Sequence, residues 1–227
     1  MNIKINRVEF WDFIGSKSYK SLTLIELMVS IMMAGMLIVG FYGFETFSNV
    51  QMIDSDRRAK VQNNLAYCVE HMSKYVQQAN GDINYPPIKL YPDLVTPTGF
   101  QVRYDCKSIQ TPSDLTDDVW VYYTLSGNNL NVGCKNNLGA DCAGSCSKFP
   151  AGEELLSNKI VANFNNSIMP ANPTDGFYVR VDAQGSLVNI GLVGRYDPTK
   201  PVISGTRFTN PQIEVKTKII CNSSSAN

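Results

Sequence analysis

The 227-residue sequence predicts an α+β fold in which one long N-terminal helix, membrane-spanning in its first half, packs its second half on an antiparallel, disulfide-stapled β head. Three observations predict it. A long apolar run near the N-terminus is followed by an apolar stripe of helical period, and then by short β-branched and aromatic runs set between turn residues and six cysteines. With 44% hydrophobic residues the chain can build an ordinary core, and its length suits one globular domain with an appendage. The formal net charge is zero and no Lys/Arg-rich face is apparent, so the electrostatic footprint of a nucleic-acid binder is missing.

Residues 1–21 form a leader. Lys4, Arg7, Lys17 and Lys20 outweigh Glu9 and Asp12 there, and positive flanking charge stays on the cytoplasmic side. The N-terminus is therefore expected inside, and everything beyond Phe44 outside. An aromatic cluster, Phe10-Trp11-Asp12-Phe13, has no assigned role. Residues 22–44 read LTLIELMVSIMMAGMLIVGFYGF, about 23 residues with one formal charge, against the roughly 20 that a spanning helix needs. A secretory signal peptide has a shorter apolar core followed by a small-residue cleavage site, which Glu45-Thr46-Phe47-Ser48-Asn49 lacks. A plain membrane anchor is the simpler reading of the run. Glu26 bears against it, because a carboxylate at membrane depth is costly and calls for a named partner, although a position near one end also lets it snorkel to the interface.

Residues 45–80 continue the helix in amphipathic form. Asp54-Ser55-Asp56-Arg57-Arg58 is a solvated charged run. Beyond it Val61, Leu65, Cys68, Met72, Tyr75 and Ala79 recur at three- and four-residue steps, with Val69 and Val76 widening the stripe. One helix from Leu22 to about Ala79 is expected. Gly35, Gly40 and Gly43 interrupt its first half, each lowering helix propensity by about 1 kcal/mol relative to Ala. In a membrane they permit close helix packing, without the G-x-x-x-G spacing.

Residues 81–227 form the head. Asn80-Gly81-Asp82 and Tyr85-Pro86-Pro87 end the helix, and strands are expected at Phe100–Cys106, Val119–Leu125, Asn129–Gly133, Ile160–Phe164, Phe177–Asp182, Leu187–Val193 and Ile213–Ile220. Ser126-Gly127-Asn128 and Ala183-Gln184-Gly185 read as hairpin turns. Cys68, Cys106, Cys134, Cys142, Cys146 and Cys221 are disulfide candidates in an oxidising compartment, with 15 possible full pairings. Cys68 is equally readable as a free buried thiol on the apolar stripe. At least one bridge is expected within Gly133–Lys148, which has little apolar content to order it.

A zinc site at Cys134, Cys142 and Cys146 lacks a second close cysteine pair, and His71 is the one histidine. Asp114, Asp117 and Asp118 lack the EF-hand spacing for calcium. No C-x-x-C, G-x-S-x-G or phosphate-binding loop occurs, and His71 has no Ser/Asp constellation. No catalytic residue, metal or cofactor is expected.

Leu22-Thr23-Leu24-Ile25-Glu26-Leu27-Met28-Val29, preceded by a short basic stretch, resembles the class III signal of type IV pilins and type II secretion pseudopilins. The resemblance implies the pilin fold and a prepilin peptidase cut between Ser21 and Leu22. It further implies N-methylation of Leu22, and pairing of Glu26, the fifth mature residue, with the α-amino group of a neighbouring subunit to set axial register. The family favours Gly where Ser21 stands; Ser is also small, and slower processing is expected. Arg57-Arg58-Ala59, Asn64-Leu65-Ala66-Tyr67, Gln77-Gln78-Ala79, Val121-Tyr122-Tyr123-Thr124-Leu125, Asn129-Leu130 and Ile213-Glu214-Val215-Lys216-Thr217 further resemble W-type minor pilins and J-type pseudopilins. That implies a filament subunit initiating or capping a pilus or pseudopilus. Its partners would be other minor pilins through their N-terminal helices, the prepilin peptidase, the inner-membrane assembly platform and the membrane. The head would be periplasmic before assembly, and a tip adhesin or ligand-binding module is the alternative.

Overall fold

The computed structural model describes residues 23–81, 84–91, 98–106, 114–116, 118–142, 146, 152–162, 176–221 and 223–224. The leader, Ser21, Leu22 and Asp117 lie outside them. The chain divides into two compact units, Met1–Ser48 and Asn49–Asn227, and helix α1, Leu24–Gln77, contributes to both.

Within the second unit α1 buries Val61, Leu65, Cys68, Met72 and Val76, at helical spacing along one face, and Ala79 follows them into the core. Tyr75 differs from expectation: Val76 takes the central position, and Tyr75 is half-buried at the edge of the stripe. Lys74 sits in the last turn, where a cation complements the helix dipole. The Gln78 and Ala79 amides then tighten onto the carbonyls of Tyr75 (3.1 Å) and Val76 (3.2 Å), closing the helix.

Ten strands follow: β1 (Asn80–Gly81), β2 (Ile88–Tyr91), β3 (Gly99–Asp105), β4 (Asp118–Ser126), β5 (Asn129–Asn136), β6 (Glu154–Ser157), β7 (Phe177–Val181), β8 (Leu187–Arg195), β9 (Gln212–Ile220) and β10 (Ser223–Ser224). Strands β2-β3-β4-β5-β6 form an antiparallel sheet in that order, β7-β8-β9 form a second, and β1 pairs in parallel with β10. Gly127, at φ 57°, turns β4 into β5 with Ser126 opposite Asn129, the two-residue hairpin that favours left-handed glycine. At the β7–β8 turn the Asp182 carboxylate accepts from the Ser186 amide (2.7 Å) and the Leu187 amide (3.0 Å). Strands β1, β2, β6 and β10 were not expected, being two to four residues long. Ile160 forms only an isolated bridge to Gly194 where a strand was expected, and Phe164 lies outside the described residues.

Both sheets meet the helix stripe in one core. Phe100, Val102, Val121, Tyr123, Leu130 and Val132 approach it from the larger sheet, and Phe177, Val188, Ile190, Leu192 and Ile219 from the smaller. Leu65 lies on β8 where Gly194 has no side chain; a Cβ there would stand 3.0 Å from the Leu65 Cδ2 atom.

The opposite face of the larger sheet is built differently. Arg103 is fully buried and pairs with Asp118, which is also buried, while its Nη2 donates to the Asp114 carbonyl at 3.1 Å. Asn80 Nδ2 donates to Asp105 at 3.2 Å, tying the chain beyond the helix to the same sheet. Lys89 lies 4.7 Å over the Trp120 ring, Tyr91 stacks on Tyr122 at 4.9 Å, and Lys135 sits over both tyrosines. Removing one partner of a buried ion pair leaves the other charge uncompensated, so Asp118→Ala should destabilise the head by about 3–5 kcal/mol in urea melts. The double substitution Arg103→Met, Asp118→Leu should recover most of that loss.

Candidate functional site

The first half of α1 is the largest unsatisfied apolar surface described. Every large apolar side chain from Leu24 to Phe47 is exposed, and its most apolar 18-residue window has a mean hydropathy of 2.2 with nothing buried. The helix is thus long and apolar enough to cross a membrane. Two of its hydroxyls are satisfied within the helix: Ser30 Oγ donates to the Glu26 carbonyl at 2.8 Å and Thr46 Oγ1 to the Tyr42 carbonyl at 2.9 Å. That is the arrangement a hydrocarbon environment demands. A Cβ added at Gly35, Gly40 or Gly43 would meet nothing within 4 Å, so no packing inside the described chain calls for glycine there.

Glu26 closes the start of this helix. Thr23 is the N-cap: its amide and its hydroxyl both donate to Glu26 Oε2 at 2.9 Å, while the Glu26 amide donates back to Thr23 Oγ1 at 3.3 Å. This reciprocal capping box satisfies two donors that the first turn leaves open. Its signal in the sequence is the spacing Thr23-x-x-Glu26, which the family resemblance overshadows. The same carboxylate is the one acidic group of the apolar run, 22–44, and it sits in the first turn of α1.

Four of the six cysteines come together. Cys106 and Cys146 are bridged with Cα atoms 5.7 Å apart, Cys134 and Cys142 with Cα atoms 5.4 Å apart, and the four cluster around Val119 and Tyr104. The second bridge lies within Gly133–Lys148 and closes the turn after β5. There the Asn136 side chain accepts from the Leu138 (3.0 Å) and Ala140 (2.9 Å) amides. Cys68 and Cys221, both disulfide candidates by sequence, are not bridged. The Cys221 thiol donates to the Ala79 carbonyl at 3.1 Å, and Ala79 lies about 16 Å of helical rise from Cys68, beyond the roughly 7 Å that a disulfide can span. Burial pushes the Cys68 thiol up to about 11.

His71 lies half-buried among Tyr67, Tyr75 and Tyr123, with the Tyr123 hydroxyl 3.2 Å from Nδ1. It lines a small cleft with Tyr75, Val121, Val132, Gly133, Cys134 and Glu154. Burial lowers its pKa, and Glu154 opposes that shift. Neither a serine nor a free cysteine nucleophile joins it there, and no cluster of three metal-ligating side chains occurs among the described residues. Asp118, a calcium candidate by sequence, faces Arg103 instead, and Asp114 accepts from Thr116 through its side chain.

Two measurements check these assignments. Alkylation without reductant should label neither Cys68 nor Cys221 in the folded chain and both after unfolding, with all six labelled only after reduction. His71 has a folded pKa below its unfolded value, so the unfolded chain takes up the proton first and its contribution is present above about pH 6.5 and lost as pH falls. The thermal midpoint of the wild type should therefore drop more than that of His71→Gln on acidification through this range.

Comparisons with protein-family models, with curated proteins and with solved structures found no match.

Proposed function

We propose that this chain is a minor pilin or pseudopilin, a structural subunit that helps initiate or cap a type IV pilus or type II secretion pseudopilus. One observation carries the reading. A single helix bears a wholly exposed apolar run with one carboxylate in its first turn, and continues into the core of a disulfide-stapled β head. An ordinary anchor needs the apolar run and can use the acid only to cap its own helix, whereas in a filament the same carboxylate gains a second partner. Here the prepilin peptidase cuts between Ser21 and Leu22, Leu22 is methylated, and the helix waits in the inner membrane with the head on the periplasmic side. On assembly the apolar faces of neighbouring helices bury one another, and Glu26 exchanges its Thr23 contacts for the α-amino group of the adjacent subunit. The glycines that meet nothing within the chain then allow close approach between helices.

A second reading, a tip adhesin, has one observation in its favour. The hairpin closed by Cys134 and Cys142 holds Leu138 almost fully exposed on a hydrogen-bonded turn, a pre-organised contact point.

Mass spectrometry of the purified protein should show Leu22 as a methylated N-terminus, and a chain still beginning at Met1 would refute the processing step. Glu26→Ala should abolish recovery of the subunit in sheared filaments while leaving the thermal unfolding of the head unchanged. Normal recovery would remove Glu26 from the mechanism.

A further inference from the structure

Strand β9, nine residues long, stands at the margin of the smaller sheet and pairs with β8 alone among the described residues. A hydrogen bond at each end fixes which of its backbone groups face outward. The Cys221 amide donates to the Ser186 carbonyl at 2.8 Å, and the Tyr196 amide donates to the Pro211 carbonyl at 3.4 Å. Both continue the register that sets Leu187 opposite Ile220 and Arg195 opposite Gln212, so the odd-numbered residues of β9 exchange hydrogen bonds with β8. The amides and carbonyls of the even-numbered residues, Lys216 and Lys218 among them, therefore point away from the sheet, where no described strand meets them.

Side chains alternate in the same phase. Glu214, Lys216 and Lys218 are exposed on the solvent face, with Glu214 paired to Lys216 at 3.0 Å. Ile213 and Val215 turn toward the core and are left half-buried at its margin. An open edge backed by half-buried apolar side chains is completed by another strand, and charge identifies which one. Lysines ordinarily blunt an edge against pairing, but here they leave one register open to a second copy of the same strand. When two β9 strands meet antiparallel across a two-fold axis, outward-facing residues must oppose outward-facing residues. Placing Glu214 opposite Lys216 of the second copy makes two unlike pairs at once, sets Gln212 opposite Lys218 twice and brings Val215 against its own counterpart. Slipping the pair by two residues in either direction sets Glu214 against Glu214 or Lys216 against Lys216, which penalises those registers.

We propose that two copies of this chain join β9 to β9 in that register, fusing their three-stranded sheets into one across a two-fold axis. Such an isologous contact closes after two copies and does not propagate. It uses the head alone and does not rest on the membrane-anchored reading of α1.

The full chain is purified in detergent, and its mass is read by sedimentation equilibrium with the detergent density-matched. The wild type should be a dimer. Glu214→Lys and Lys216→Glu each set like charges opposite at both pairs and should weaken the dimer about tenfold. An equimolar mixture of these two variants should restore it, because each supplies the charge that the other lacks. Lys216→Pro removes only an outward amide and should abolish the dimer while leaving the thermal midpoint of the head unchanged. A monomeric wild type overturns the proposal. So does a dimer that survives the proline and both charge changes, since association then runs through another surface, such as the apolar half of α1. Weakening by the single variants without restoration in the mixture overturns the pairing as well.

Discussion

The stripe Val61, Leu65, Cys68, Met72, Val76 and Ala79 is the constraint on which the head depends. Both sheets bury apolar side chains against these helical positions, and they also meet each other where Phe100 on β3 approaches Phe177 on β7 at 6.3 Å between ring centroids. A small antiparallel sheet exposes too much apolar surface to be stable alone, and a helix laid on it is the economical cover. One stripe thus serves two sheets in a common core. Leu65 shows this most directly, since it belongs to the common core and also fills the space that Gly194 leaves on β8. Losing helical order there would uncover both sheets together.

On the far side of the larger sheet the solution is ionic. Arg103 and Asp118 are buried there, with Trp120 as the cross-strand partner of Arg103, while the two disulfides gather around Val119 on the face that also carries Val121 and Tyr123. Buried ion pairs contribute little net stability yet penalise every arrangement that separates them. Disulfides act mainly on the unfolded chain, shrinking the ensemble from which the strands must assemble. Together they specify the strand ends, while the helix stripe supplies most of the burial. The unbridged Cys68 and Cys221 side with the stripe: they pack as small apolar side chains, one on it and one beside its end.

The features legible in the sequence were those written as local period or local punctuation. Helical spacing announced α1, with ends two residues from those expected, and Gly127 and Gly185 marked real turns. Strands β3, β4, β5, β7, β8 and β9 were readable because each is five residues or longer and carries β-branched or aromatic residues, whereas β2 and β6 have only four residues each. Arg103 was the larger omission. Alternation places it with Asp105 on the polar face of β3, which a sequence reader assigns to water, and only the tertiary fold brings Asp118 and the Asp114 carbonyl to it. Cysteine pairing was illegible for a similar reason, since it depends on which strand ends meet. Near the N-terminus Glu26 stood out as a carboxylate within an apolar run, and its bond to Thr23 was written in the four-residue spacing.

The unbroken run of α1 from Leu24 to Gln77 contains no proline, and it carries a mechanical consequence. Tension applied to the apolar half passes through a continuous ladder of helical hydrogen bonds into the stripe under both sheets. There it loads the side-chain contacts in parallel, along the helix axis, as a shear. Interdigitated side chains resist sliding collectively, where peeling would break them one at a time. The compliant stretch lies elsewhere, between Gly35 and Gly43, where helix propensity is lowest. A pulled chain would therefore lengthen in its exposed apolar half while its head stayed folded.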